Sequence, residues 1–423
     1  MKRFLAILLL GAAVAATSCQ KDSPVGVSGV KLGQSTMTLK VGTTGRLTAT
    51  VTPDNALDKT LGWSSSAPEV AMVAADGTVT AVEKGTATVT ATARESGKSA
   101  SCTVTVTGTT VYVTGYTSGR IAMLWKDGVA QRVGEGMKNA EAESVYVSDD
   151  DIYVAGCDRT ATGAYVAVLW KNGTAQQFND GETTMADAKS VFVSGGDVYV
   201  AGYYMEYKGI LVLSQTAMLW KNGTAQPLSD KSEIAGANSV FVSGGDVYAA
   251  GYERNIAGKN AATIWKNGMA QQLSDGAYDA EVFSVFVSGG DVYAAGYEKE
   301  ANGNLVATVW KNGTAQRFGD EMKQSCANSV FVSGGDVYVA GYERSVSDKQ
   351  SAMLWKNGVV HRLNDGTNNS QANAVYVSGG DVYAAGYEQD ASNFQFATLW
   401  KNGAAQHLSG NGWGECYSVF CTE

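Results

Sequence analysis

The stretch Ser239-Val240-Phe241-Val242-Ser243-Gly244-Gly245-Asp246-Val247-Tyr248-Ala249-Ala250-Gly251-Tyr252 decides the architecture, together with Thr263-Ile264-Trp265-Lys266-Asn267-Gly268 and Ala270-Gln271-Gln272-Leu273 just beyond it. Two short apolar runs meet at Gly-Gly and two more at Asn-Gly. Both are two-residue connections of the kind that tolerates positive φ, so each pair reads as a tight antiparallel hairpin. The four runs are strands A to D of one unit. Val-Phe-Val and Val-Tyr-Ala are apolar throughout, as in a strand covered on both faces.

The unit repeats. Tryptophans fall at 125, 170, 220, 265, 310, 355 and 400, with successive differences of 45, 50, 45, 45, 45 and 45. Gly-Gly recurs at 195, 289, 334 and 379, and Asn-Gly at 172, 222, 312, 357 and 402, with Asp127-Gly128 in the first unit. Four antiparallel strands per period of this length are the mark of a β-propeller blade. The first unit opens on a B strand, Val111-Tyr112-Val113-Thr114-Gly115-Tyr116, and the chain closes on an A strand, Tyr417-Ser418-Val419-Phe420-Cys421. Counting each type separately predicts seven blades over 111–423, with the last strand completing the first blade so that no sheet edge stays free. The Val-Tyr-Val strand ending in glycine resembles a degenerate Kelch repeat. It departs from that pattern where Tyr252 replaces the second glycine and where Trp lies on strand C.

Residues 25–107 differ from the repeats. Thr38-Leu39-Lys40-Val41, Leu47-Thr48-Ala49-Thr50-Val51 and Ala87-Thr88-Val89-Thr90-Ala91 alternate apolar and small polar residues, as half-buried strands do. Several such runs in so short a segment suggest a small β-sandwich. Trp63-Ser64-Ser65-Ser66, Pro68-Glu69-Val70-Ala71, Asp76-Gly77-Thr78-Val79-Thr80-Ala81 and Lys84-Gly85-Thr86-Ala87-Thr88-Val89 closely resemble the bacterial Ig-like domain, group 2. The resemblance implies a stalk or adhesive module. Trp63 is read as core. The whole chain is thus expected to be all-β, an Ig-like sandwich followed by a seven-bladed propeller.

Ahead of it, Lys2 and Arg3 precede an apolar run from Phe4 to Ala16 that is too short to span a bilayer. Ala16-Thr17-Ser18-Cys19 resembles a bacterial lipobox, which implies a signal peptide over 1–18, a lipid on Cys19 and an anchor linker over 19–24. Lipid anchoring implies the bacterial outer membrane, and Gln20-Lys21-Asp22 resembles a surface-export tag.

Composition narrows the function classes. Fifty glycines, four prolines and 44% hydrophobic residues describe a globular chain. A net charge of -9 with no basic cluster argues against a nucleic-acid partner. After Cys19, five cysteines remain, an odd number without CxxC spacing, so neither zinc nor a disulfide framework is indicated. His361 and His407 lie on outer D strands of neighbouring blades and should diverge, and no motif calls for a metal or cofactor. Asp149-Asp150-Asp151 reads as a polar A–B turn.

A binding site is expected on the face of the B–C and D–A loops, because both kinds of tight turn lie at the other end. The B–C segment is longest in the third blade, where Tyr203 to Leu213 interrupts the repeat. Tyr204 and Tyr207 there are candidate ligand contacts on an exposed loop, unless Ile210 to Leu213 extends strand C. Glu253, Glu298, Glu343 and Glu388, which close strand B, form either a solvated ion-pair rim or a secondary charged ring at the site. Tyr203, Tyr252, Tyr297, Tyr342 and Tyr387 are read as packing residues between blades. The expected function is a lipid-anchored, non-enzymatic surface protein that engages a glycan or a protein. The alternatives are an enzyme acting on polysaccharide through loop carboxylates and a purely structural surface component.

Overall fold

The computed structural model describes residues 25–134, 139–160, 163–179, 184–208, 211–230, 234–319, 323–344 and 349–423. Every regular element among them is a β-strand. The chain divides into two units at Gly108 and Thr109. Cys19 lies outside the described residues.

The first unit is a sandwich. Thr36–Lys40, Ser99–Thr107, Gly85–Ala93 and Leu61–Ser65 form a four-stranded sheet, with the first of them parallel to the second. Thr44–Arg46, Thr78–Ala81 and Ala71–Val73 form a three-stranded sheet, and Gly29–Leu32 pairs with Ala49–Thr52. The alternation in Gly85–Ala93 sends Ala87, Val89 and Ala91 inward, where they join Leu47, Val79 and Val104 in one core. Trp63 is half-buried against that core and covers Gly77, where a Cβ would lie 2.9 Å from the indole.

The second unit is seven four-stranded antiparallel sheets, each in the order A-B-C-D. Blade 1 consists of Gly414–Thr422 (A), Thr110–Thr117 (B), Ile121–Lys126 (C) and Val129–Arg132 (D). Its A strand is the C-terminal segment, paired from Thr110↔Thr422 to Thr117↔Gly414, so the ring is closed by the two ends of the unit. The A strands of blades 2 to 7 begin at Glu141, Thr184, Ala235, Ala280, Ser325 and Ser370. At the hairpins, Gly244 and Gly245 have φ of 60° and 86°, and Asn267 and Gly268 of 52° and 82°, the left-handed pair that a tight two-residue turn requires. In blade 2, Asp149 and Asp150 adopt the same conformation in place of Gly-Gly.

Blades hold together through large residues set against small ones. Trp265 is fully buried and shares a cluster with Tyr199 and Leu219 of the preceding blade and with Val240 and Ala249 of its own. The other six tryptophans of strand C are equally buried. A hydroxyl staple adds to this packing. The Val240 N–H donates to Ser190 Oγ at 3.1 Å, and the same bond from one A strand to the preceding one occurs at six of the seven blade boundaries. Ala374 occupies the serine position at the boundary of blades 7 and 1. Near the turn end of the channel, Tyr146, the phenylalanines at 192, 241, 286 and 331, Tyr376 and Phe420 form a closed aromatic ring with neighbouring centroids 4.5–5.1 Å apart.

Candidate functional site

Each A strand contains a β-bulge. Pairing with strand B breaks between Ala142 and Ser144, Ala188 and Ser190, and Ala237 and Ser239, and again at the same place in the other four blades. A bulge leaves one residue without a cross-strand partner and bends the strand. The residues left over are Glu143, Lys189, Asn238, Phe283, Asn328, Asn373 and, in blade 1, Tyr417. All seven line one cavity of about 630 Å³ at the loop end of the channel. The bulge position and the one two residues before it differ from blade to blade, whereas the serine after the bulge and the glycine of strand B repeat in nearly every blade.

The glycine that ends strand B accompanies the bulge. A Cβ on Gly251 would lie 1.9 Å from the Gly236 carbonyl oxygen, and the equivalent glycines of all seven blades are pressed as closely by the bulged strand. In blades 3 to 6 the residue after this glycine turns to the cavity. Tyr203, Tyr252, Tyr297 and Tyr342, read from sequence as packing residues, also line the cavity half-buried, whereas Tyr387 is not among its lining residues. Burial pushes the Tyr342 phenol up to about 12 and raises the others as well.

The wall is electrostatically uneven. On the side of blades 2 and 3, Lys189 Nζ lies 2.8 Å from Glu143 Oε1 and 2.6 Å from Asp187 Oδ2, and Tyr203 donates to Asp187 at 3.3 Å. Burial pushes Glu143 up to about 7 against the pull of Lys189. Burial alone would depress Lys189, but Asp187 and Glu143 outweigh it and hold the ammonium well above its ordinary range. Across the cavity the wall is neutral and rich in amides. Asn328 and Asn373 donate to the main-chain carbonyls of Ala372 and Cys416 in the next blade, and Gln371 donates to Asn373 Oδ1. Between these sides stands Glu281, which accepts from Asn238 Nδ2 at 2.9 Å and is pushed by burial up to about 7. Such a wall can accept and donate many hydrogen bonds to hydroxyls and present aromatic faces to a ring.

The residues singled out from sequence fare differently. Strands B and C of blade 3 run on as one hairpin, Asp197–Lys208 paired with Leu211–Lys221, so the exposed-loop reading is corrected to strand extension. Gly209 and Ile210 lie outside the described residues. Tyr204 is a packing residue: its hydroxyl donates to Phe178 O at 2.8 Å and accepts from the Trp220 indole at 3.1 Å, and its ring meets that indole edge-on. Tyr207 lines a second cavity of about 230 Å³ with Met205, Tyr165 and Cys157. Glu253, Glu298, Glu343 and Glu388 occupy the strand position of Tyr204, one residue past the cavity tyrosine, and alternate to the opposite face. Glu298 approaches Arg317 at 3.9 Å and Glu388 approaches His407 at 3.2 Å, both on the outer D strand of the same blade. Glu298 and Glu388 therefore pair outward, and none of the four acids is among the residues lining the cavity. Cys102, Cys157, Cys326, Cys416 and Cys421 are all free and buried. Among the described residues no three His, Cys, Asp or Glu side chains are grouped to hold a metal ion. No helix among them is long and apolar enough to cross a membrane.

The bulge residues of the cavity were missed in the sequence, although a signal existed. A glycine inside every apolar B strand marks a bulge or a close backbone approach, and the variable residue before the serine of strand A lies opposite it.

Residues 26–104 match the bacterial Ig-like domain (group 2). In that region the chain is 51% identical over 82 residues to an alpha-L-arabinofuranosidase of Bifidobacterium longum, covering 19% of this chain and 8% of that one. It is 50% identical over 91 residues to a lacto-N-biosidase of Bifidobacterium bifidum, covering 22% and 8%. The chain thus spans less than a tenth of the length of these relatives. Among solved structures, the β-propeller domain of the Trilobed protease from Pyrococcus furiosus aligns with a TM-score of 0.44 at 10% identity, over 77% of this chain and 93% of that one. Taken together, the protein is all-β, with a bacterial Ig-like domain of group 2 ahead of a seven-bladed propeller.

Proposed function

We propose that this protein is a lipid-anchored bacterial surface protein, held at the outer membrane through Cys19, whose propeller binds a glycan in the central cavity without cleaving it. One observation carries the reading: the seven bulge residues that face the cavity differ from blade to blade while the scaffold around them repeats. A structural component would have no need to break its symmetry at one concave, amide-rich and aromatic surface. The Ig-like segment supports the carbohydrate assignment, since it recurs in two proteins named for action on sugars. Ligand sites of this size usually combine aromatic walls with a few fixed polar groups.

The test is a glycan array probed with the mature chain and with Phe283→Ala. The blades already accept Glu, Lys, Asn, Phe and Tyr at this position, so the fold should tolerate the change. Retained binding to a single glycan class by the parent chain, weakened about tenfold in the variant (about 1.4 kcal/mol), supports the reading. Equal binding by both moves the site out of the cavity.

A second reading, an enzyme acting on extracellular polysaccharide, is favoured by Glu281, whose carboxyl is pushed up to about 7 and could act as a proton donor near neutral pH. Release of reducing ends from a glycan that binds, lost in Glu281→Gln, would select it.

A further inference from the structure

We propose that the glycan taken by this cavity carries a free primary amine, an unacetylated amino sugar, whose ammonium sits on Glu281 among the rings of Tyr252, Phe283 and Tyr297. The inference rests on the glycan-binding reading above and adds the class of sugar.

The repeat itself supplies the control. The residue two before the bulge is Glu141, Asp187, Gly236, Glu281, Cys326, Gln371 and Glu415 in successive blades. Four of these are carboxylates, and three are compensated within the protein. Glu141 pairs with Arg120, and Asp187 with Lys189. Glu415 accepts from Asn373 at 2.9 Å, from Tyr116 at 3.3 Å and from Gln395 at 3.4 Å. Glu281 alone has a single neutral donor, Asn238, and no cation bound to it among the described residues. The cavity's own cation, Lys189, is already held by Glu143 and Asp187.

A half-buried carboxylate without a counter-charge costs free energy that a bound cation can return. The surroundings suit an ammonium rather than a metal. Phe283 and Tyr297 stand 5.9 Å apart between centroids, and Gln215 fixes Tyr252 by donating to its hydroxyl at 2.7 Å. Aromatic faces attract organic cations, whereas a hard metal ion would need several oxygen ligands. An anionic sugar finds no free cation among the described lining residues. A neutral sugar would leave Glu281 desolvated, with Asn238 as its donor and no counter-charge. The ligand's hydroxyls then meet the amides of Asn328, Gln371 and Asn373 across the cavity. The titratable groups around Glu281 are Tyr252, Tyr297, Cys326 and Lys189. Of these only Lys189 is charged at neutral pH, so uptake of the ammonium should drive a proton off Glu281.

The experiment is titration calorimetry on the whole mature chain with short β-1,4-linked glucosamine oligomers, the same oligomers N-acetylated, glucose oligomers of the same linkage, and a lysine-containing peptide. The expected result is at least tenfold tighter binding of the free amine than of either neutral oligomer. Proton release should appear as a heat that depends on the buffer's ionisation enthalpy, and Glu281→Gln should abolish both the preference and the release. A melting curve of Glu281→Gln at or above that of the parent shows that the loss is not unfolding. Equal binding of neutral and amine oligomers overturns the amine assignment and leaves the glycan reading standing. Binding of the peptide but of no oligomer overturns both, as does binding of none of the four probes.

Discussion

The two ends of the central channel are built by the same seven A strands and differ in kind. At the turn end the strands contribute one aromatic residue each to a closed ring. Around that end, six blades repeat the same surface clamp, in which lysine and asparagine hold one aspartate, as Lys266 and Asn267 hold Asp246. At the loop end, a few residues earlier on the same strands, no more than three blades agree, as at Asn238, Asn328 and Asn373. Uniformity where strands must close and diversity where they face a cavity separate the scaffold from the surface that selects a ligand.

The largest expected effect breaks the uniform end. Ending the chain at Trp413 removes strand A of blade 1, takes Phe420 out of the aromatic ring and leaves Thr110–Thr117 as an open edge. Loss of a cooperative unfolding transition and aggregation should follow, read by calorimetry and light scattering. An unchanged melting temperature would show that closure contributes nothing.

Next comes the charged wall of the diverse end. Lys189→Met leaves Glu143 and Asp187 facing each other in a buried place and should cost about 3–5 kcal/mol in urea unfolding. Adding Glu143→Gln and Asp187→Asn to it should restore most of the loss. If the single variant is as stable as the parent, the triad is solvated and the two sides of the wall do not differ in charge burial.

Glu281 sharpens the contrast through pH. Burial raises its folded value to about 7 from an ordinary 4.5, so between those values the native state binds more protons than the unfolded chain. Stability should therefore fall as pH rises through that window, by up to about 3 kcal/mol at 1.36 kcal/mol per unit. Glu143 adds a slope of the same sign. Glu281→Gln should flatten the profile of melting temperature against pH without removing it. An identical profile would place Glu281 in water.

The smallest effect lies in the scaffold. Ala374→Ser supplies the staple absent at the boundary of blades 7 and 1 and should stabilise by about 0.5–1 kcal/mol, whereas Ser329→Ala at the next boundary should lose about as much. Equal and opposite shifts in the denaturation midpoint would confirm that the serines act as repeated, independent clamps.

Legibility tracked local chemistry. Gly244-Gly245 and Asn267-Gly268 announce their turns, because left-handed φ restricts residue choice so strongly. Trp265 announces its burial by its spacing. Tyr204 misled because a tyrosine in an irregular, lengthened segment looks like an exposed anchor. Nothing local shows that its hydroxyl bridges the Trp220 indole to Phe178 of the preceding blade. Glu253 and its equivalents misled for the related reason that a strand's alternation gives two faces without saying which one meets the axis.

By itself, then, the sequence determined the strands, their hairpins, the seven-fold count and the pairing of Val111–Tyr116 with Tyr417–Cys421, since all of these follow from turn chemistry, periodicity and the need to leave no edge unpaired. Only the tertiary structure decided that Glu143, Lys189, Asn238, Phe283, Asn328, Asn373 and Tyr417 converge on one cavity. Each is set there by a bulge that breaks the two-residue period, and residues some 45 apart in the chain become neighbours only when the ring closes.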